Sequence, residues 1–309
     1  MSKSIPIFCA TDENYAPFTS MMMKSMLMHT KSFVDFYIMD GGIKRKTKKL
    51  IQKELKSFPN KTIRYIDMAG FDLSRFPSLA HFSVNTFSRY FVPELVPEME
   101  KAIYMDVDII VTGDIQELYD QDLKGFPIGV TPCDFNDYSM IHQIKRIWPD
   151  VKADSVAFNA GILVMDIPKL LKMDFTNKAV QLTGMLYDKL EMPDQDILNI
   201  MFENNYLALD YRFDFIHTTL PRLKKKYPDL KTIDPVMIHY TIKPWKSNQP
   251  FQEEFEDILK DSLFYQQVIR KWRSRKIRYY LFGKIPLGTK YVPKNIFLNQ
   301  NYLDKKYPL

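Results

Sequence analysis

Cysteine is scarce in this chain: only Cys9 and Cys133 occur in 309 residues, both in apolar, strand-like surroundings. Such usage argues against a disulfide framework and for a reduced, cytoplasmic protein. The start, Met-Ser-Lys-Ser-Ile-Pro-Ile, has no basic segment followed by a long apolar run, so no signal peptide is expected. No window reaches 18 uninterrupted apolar residues, so no bilayer-spanning helix is expected either. Internal repeats, low-complexity segments and a recognisable nucleic-acid-binding module are all missing. What remains is the composition of an ordered globular protein, 46% hydrophobic and 14% aromatic, long enough for one large α/β domain or two smaller ones.

Acidic charge is nearly absent from one end. Residues 265–309 hold 11 of the 43 basic residues and a single acid, Asp304, so that segment is +10 and the remainder −4 within a net +6. The basic character therefore belongs to a tail, and the predicted organisation is a body at 1–264 followed by a basic, aromatic segment at 265–309. Within it, Arg270-Lys-Trp-Arg-Ser-Arg-Lys-Ile-Arg-Tyr-Tyr-Leu-Phe282 interleaves cations with aromatic and aliphatic side chains. An anionic membrane surface suits that pattern, each cation adding about 1 kcal/mol. A solvated basic helix packed on the body is the plainer alternative, and nucleic acid a third without a supporting module.

Along the body, apolar runs alternate with helical periodicity. Ile5–Thr11 reads as a strand leading into the polar turn Asp12-Glu-Asn-Tyr15, and Ala16–His29 as a buried or half-buried helix. A second strand at Phe33–Met39, an amphipathic helix at Lys44–Phe58 and a third strand at Thr62–Asp67 follow. This alternation predicts parallel strands joined by helical crossovers. Further on, the patterns predict a helix at Ser83–Leu95 carrying Arg89 and interrupted near Pro93, and a strand at Pro127–Cys133. Residues 135–157 predict a loop or lid over a site. Phe158–Asp166 reads as a turn feeding a buried strand, Pro168–Lys189 as one helix, Asp194 as the N-cap of the next, and Val236–Tyr240 as a late strand.

The chemistry is concentrated in Lys101-Ala-Ile-Tyr-Met-Asp106-Val-Asp108-Ile-Ile-Val-Thr-Gly113. Twenty-six aspartates among 309 residues give about two Asp-x-Asp pairs by chance, and three occur, so spacing alone decides nothing. The setting separates them. Asp120/Asp122 lies in a polar stretch, whereas Asp106/Asp108 interrupts a run of β-branched and aromatic residues that otherwise reads as core. Carboxylates in such a place need a cation or strong donors, which points to a divalent-metal site off the end of a strand.

Five stretches taken together resemble one family: Asp12-Glu-Asn-Tyr15, Asp106-Val-Asp108, Phe158-Asn-Ala-Gly161, Asp194-Gln-Asp196, and His239-Tyr240 with Lys243-Pro-Trp245. In this order they resemble glycosyltransferase family 8, which includes bacterial lipooligosaccharide galactosyltransferases and is related to glycogenin. The resemblance covers roughly residues 4–260. It implies a GT-A fold, a Rossmann-like mixed sheet flanked by helices. It further implies a UDP-glucose or UDP-galactose donor, transfer with retention, and Mn²⁺ held by Asp106, Asp108 and His239. Mn²⁺ accepts carboxylate oxygen and tolerates an imidazole, so the set suits it better than Mg²⁺, a substitute. For His239 the plain alternative is a hydrogen-bonded core histidine.

By the same resemblance, Ala10, Thr11, Asp12, Asn14 and Tyr15 line the uridine pocket, with Tyr15 stacking on uracil. Asp12-Glu-Asn-Tyr15 is equally a strand-to-helix turn, and it is not the glycine-rich loop that a sugar nucleotidyltransferase would use. Val107 contributes to the donor site through its place between the two acids. Arg89, Asn159, Asp194 and Gln195 resemble the residues that hold the donor sugar, with Arg89, Asp194 and Gln195 closest to the chemistry, and Asp134 faces the acceptor. Lys243 would meet the diphosphate as a point charge; here the interval from His239 is shorter than the family pattern. Retention implies either a carboxylate nucleophile or front-face attack, in which a leaving diphosphate oxygen helps deprotonate the acceptor, and Gln195 is a poor nucleophile. The expected function is thus a Mn²⁺-dependent retaining hexosyltransferase acting on a saccharide of a cell-surface glycan, glycoprotein or glycolipid. Such an enzyme is expected in the cytoplasm, peripheral on the inner face of the membrane. A UDP-sugar-binding or scaffold protein without turnover, and self-glycosylation on one of 18 tyrosines, are the alternatives.

Overall fold

A computed structural model describes residues 4–68, 71, 86–133, 140–152, 154–226, 233–241 and 250–270. The chain divides into two compact units, Met1–Thr241 and Ile242–Leu309. In the first, β1 (Ile5–Thr11), β2 (Val34–Asp40) and β3 (Lys61–Asp67) are joined by α1 (Ala16–His29) and α2 (Arg45–Glu54). Methionines 21, 22, 23 and 26 of α1 are buried, while α2 buries Thr47 and Ile51 and presents lysines outward. These crossovers make β1, β2 and β3 parallel, as the sequence predicts.

Ser88–Phe91 forms a 3₁₀ turn leading into α3 (Val92–Leu95). Pro93 falls in the first turn of α3, where its missing N–H costs nothing, so it starts this helix and does not break one. β4 (Lys101–Met105), β5 (Ile109–Val111), α4 (Ile115–Tyr119), β6 (Ile128–Val130), α5 (Met140–Ile147) and β7 (Ile162–Asp166) follow. Then come α6 (Ile167–Lys172), α7 (Phe175–Leu186), α8 (Pro193–Met201), β8 (Leu207–Ala208), β9 (Phe215–Ile216), α9 (Leu220–Lys226) and β10 (Met237–His239).

Seven strands form one sheet in the order β3-β2-β1-β4-β7-β6-β8, and β5-β10-β9 form a second. β4 is parallel to β1 but antiparallel to β7, so the large sheet is mixed. Phe8, Tyr104, Phe158, Leu163, Phe175 and Phe202 belong to one buried cluster, so strand and helix side chains share a core. In the second unit, α10 (Gln252–Lys260) buries Phe255, Ile258 and Leu259 at helical spacing. Among the described residues no helix is long and apolar enough to cross a membrane.

Four further sequence expectations are corrected. The strand expected to carry both acids is two strands in different sheets, with Asp106-Val-Asp108 as the link. The Asp106 N–H still donates to Gly161 O (2.7 Å), extending the β4–β7 ladder, but the Asp108 carbonyl accepts from Tyr240 N (2.9 Å) beside β10. The helix expected at 168–189 is broken into α6 and α7, with Asp174 in the left-handed region at φ 53°. Residues 135–157 are not all loop, since α5 buries Ile141, Ile144 and Ile147 on one face. Finally, Asp194 is not an N-cap. α8 starts one residue earlier, and the Asp196 carboxylate accepts from Glu191 N (2.9 Å) and Met192 N (2.8 Å), satisfying N–H groups ahead of the helix.

Candidate active site

The parallel register of β1 on β4, with Ile7 opposite Ile103 and Phe8 opposite Tyr104, ends both strands at the same edge. The stretches following β1 and β4 therefore leave the sheet together, where α/β folds bind ligands. In the link between β4 and β5, Val107 is buried between Asp106 and Asp108. His239 arrives from β10, which lies antiparallel to β5 with His239 opposite Ile109, the residue after Asp108. One ligand atom from each of Asp106, Asp108 and His239 lies within 4.8 Å of the others. The His239 Nε2 atom is 3.3 Å from Asp108 Oδ1.

Two further carboxylates complete the charge pattern. Asp214, fully buried, accepts from His239 Nδ1 at 2.9 Å. Asp194 Oδ2 lies 3.0 Å from Arg89 Nε as an ion pair, and Arg89 Nη2 donates to Asp106 Oδ1 at 2.9 Å. Arg89 also donates to the Ala160 carbonyl and lies over the Tyr104 ring at 4.5 Å. Burial alone would lower the guanidinium pKa, but Asp106 and Asp194 override it and raise it. For Asp106, burial wins over Arg89 and pushes the carboxyl up. For Asp194, burial wins again and brings the carboxyl to about 6. His239 is the reverse: burial disfavours its charged form, yet Asp214 and Asp108 hold it well above the usual imidazole value. Four carboxylates thus meet one guanidinium and one imidazole. A divalent cation is what such a donor set fits.

The wall of the site is Phe158-Asn-Ala-Gly161, and α8 holds it. Gln195 Oε1 accepts from Ala160 N (3.1 Å), and Asn199 both accepts from Phe158 N (2.8 Å) and donates to Phe158 O (3.0 Å). Asn159 Oδ1 accepts from Gly161 N at 2.7 Å. Gly161 cannot carry a side chain here: a Cβ would stand 2.3 Å from His239 Cε1. The Phe-Asn-Ala-Gly stretch is therefore the seat of the imidazole.

On the β1 side, Asp12 Oδ1 accepts from Asn14 N (2.8 Å) and Tyr15 N (2.9 Å), so its carboxylate builds the turn into α1. Ala10 is half-buried and Thr11 buried, the Thr11 hydroxyl accepting from Thr19 Oγ1 (2.9 Å). Tyr15 is exposed, with its ring 5.9 Å from that of Phe18. The structure thus brings Arg89, Asp106, Asp108, Asn159, Asp194, Gln195 and His239 together. Ala10, Thr11, Asp12, Asn14 and Tyr15 leave from the same sheet edge. Lys243, Asp134 and the tail beyond Arg270 lie outside the described residues. Sequence reasoning missed Asp214 and Asn199. Asp214 did carry a signal, an acid set between Phe213 and Phe215.

A family model described as glycosyl transferase family 8 matches residues 6–249. The chain belongs to glycosyl transferase family 8. Among family relatives, the glycosyltransferase GlyF of Streptococcus pneumoniae is 30% identical over 250 residues, which is 80% of this chain and 58% of GlyF. The pneumococcal glycosyltransferase GlyA is 29% identical, and the match spans only 33% of its length. A lipopolysaccharide 1,2-glucosyltransferase of Escherichia coli is 25% identical over 79% of this chain and 73% of that protein. The GT-A fold is shared with the galactosyltransferase LgtC solved with donor and acceptor sugar analogs, at TM-score 0.72 and 21% identity. That match covers 87% of this chain and 100% of LgtC.

Proposed function

We propose that this family 8 member is a retaining hexosyltransferase that moves glucose or galactose from a UDP-sugar to a saccharide acceptor, using Mn²⁺ held by Asp106, Asp108 and His239. The observation that carries the proposal is the convergence of those three side chains from two different sheets. When bound, the ion would supply positive charge opposite the leaving diphosphate. The chain's own residues do the rest. Asp12, Asn14 and Tyr15, with Ala10 and Thr11, receive the uridine, and Val107 separates the two metal-binding acids at the donor end. Asn159, Gln195 and Asp194 orient the hexose, with Arg89 clamping Asp194 and Asp106 in place. Lys243 supplies a further cation to the diphosphate. Because Asp194 is tied to Arg89 and Gln195 is a neutral amide tied to the Ala160 N–H, neither is set up as a nucleophile, which favours front-face attack. Mg²⁺ is a weaker substitute.

The acceptor reading, a cell-surface glycan or a lipid- or protein-linked saccharide, is supported by the name of the E. coli relative, a lipopolysaccharide glucosyltransferase. In this proposal residues 1–264 form the catalytic body and 265–309 the peripheral attachment to an anionic inner membrane face. The decisive experiment is hydrolysis of a UDP-hexose panel by the full chain with and without Mn²⁺. Turnover of UDP-glucose or UDP-galactose that is lost on chelation and in Asp108→Ala supports the reading. Metal-independent turnover, or none with any UDP-hexose, overturns it.

A further inference from the structure

Asp214 belongs to none of the motifs above, and its side chain has no exposed surface. It closes the 3₁₀ turn Tyr211–Asp214 and directly precedes β9. β9 runs parallel to β10 with Phe215 opposite Ile238 and Ile216 opposite His239, so the strand pairing sets Asp214 beside the imidazole. Its Oδ1 accepts from His239 Nδ1 at 2.9 Å, while Oδ2 has no hydrogen-bond partner among the described residues.

The rest of the ring is equally constrained. Nε2 faces Asp108 Oδ1 at 3.3 Å, and the Cε1 edge lies against Gly161, where even a methyl group would collide. The His239 backbone is pinned too, its carbonyl accepting from His217 Nδ1 at 2.9 Å. A carboxylate can only accept, so the contact with Asp214 requires the proton on Nδ1, and Nε2, which faces Asp108, is the nitrogen that a cation would take in place of its own proton. Asp214 is not part of the three-residue group whose ligand atoms converge. It meets the ring at Nδ1, whereas Asp108 meets it at Nε2.

We infer that Asp214 is a positioning residue for His239: it fixes the Nδ1–H tautomer and the ring orientation that present Nε2 to the ion. The inference rests on the metal reading proposed above. Outer carboxylates of this kind change metal affinity by about 10–100-fold without touching the metal.

The test uses the full chain. Mn²⁺ affinity is measured by calorimetry for wild type, Asp214→Ala and Asp214→Asn, with circular dichroism to verify folding. Asparagine keeps an acceptor oxygen for Nδ1–H, so Asp214→Asn should lose only a few-fold, while Asp214→Ala should weaken Mn²⁺ by at least about 10-fold. Nitrogen-15 spectra of histidine-labelled wild type with diamagnetic Mg²⁺ should show a protonated, hydrogen-bonded Nδ1. Unchanged Mn²⁺ affinity in folded Asp214→Ala, or an unprotonated Nδ1, overturns the assignment. If Asp214→Ala does not fold, the asparagine variant and the wild-type spectrum decide. If wild type binds no Mn²⁺, the metal reading falls by itself, and the Nδ1 hydrogen bond is then judged in the metal-free spectrum.

Discussion

Asp194 is pulled in two directions by its surroundings. Burial penalises its charge, Arg89 rewards it, and burial prevails, so its folded pKa rises to about 6 from an ordinary 3.8. Between those values the folded state binds more protons than the unfolded one, so this group adds stability as pH falls through the window and costs stability above it. Asp194→Asn removes that titration. Relative to wild type, the variant should gain on the order of 2 kcal/mol in unfolding free energy between pH 4 and pH 7. Denaturant unfolding across that range checks it, and a pH-independent difference would count against the burial argument. The same residue marks the boundary of sequence reading. Asp106 and Asp108 could be picked out because they interrupt an apolar run, and His239 because of the family resemblance. That Arg89 clamps Asp194 could not, because the two are far apart in sequence and a helix-cap explanation fitted Asp194 as well. Asp214 shows the opposite failing: its apolar flanks were in plain view, but a solitary acid has no spacing to match against.

At the scale of elements, β1, β2, β3 and α1 follow from hydrophobic period alone and the structure keeps them within a residue, whereas α2 ends at Glu54, short of the expected Phe58, and the two-residue β8 and β9 are too short for periodicity to mark. What periodicity does not encode is a change of sheet. Ile109–Val111 is as apolar as Ala102–Met105, so the two read as one strand until the partner of each is known. The break in α6–α7 was hidden similarly, since left-handed Asp174 interrupts a helical pattern without a glycine or proline to announce it. Gly161 directly precedes β7, and the His239 ring at the end of β10 fills the space a Cβ would take there. Gly161→Ala must therefore shift the ring or the wall. Mn²⁺ affinity should drop by about 10-fold or more while the protein stays folded. Calorimetry paired with a thermal melt separates the two effects, and an unaltered affinity would mean that the ring has room to move.

For the molecule as a whole, charge is segregated along the chain, with a body of −4 and a C-terminal segment of +10. A basic segment rich in tyrosine and leucine is suited to anionic headgroups, which would bring a catalytic body to lipid-linked acceptors. Full-length protein should co-sediment with vesicles containing anionic lipid at low salt, release as salt is raised, and fail to bind after removal of 265–309. Sedimentation that ignores salt or lipid charge would point to some other role for the tail. The chain covers 58% of GlyF and 33% of GlyA, so those relatives carry substantial sequence beyond the shared region.

The acidic tripeptide sits on the seam between two sheets, Asp106 at the tip of the larger and Asp108 entering the smaller beside His239. A cation gripped there would act as a clasp as well as a reagent, closing a stretch of about 130 residues between Asp106 and His239. Chelation would then slacken the small sheet's hold on the large one before it touched β1, β2 or β3, and the nucleotide end would outlast the clasp.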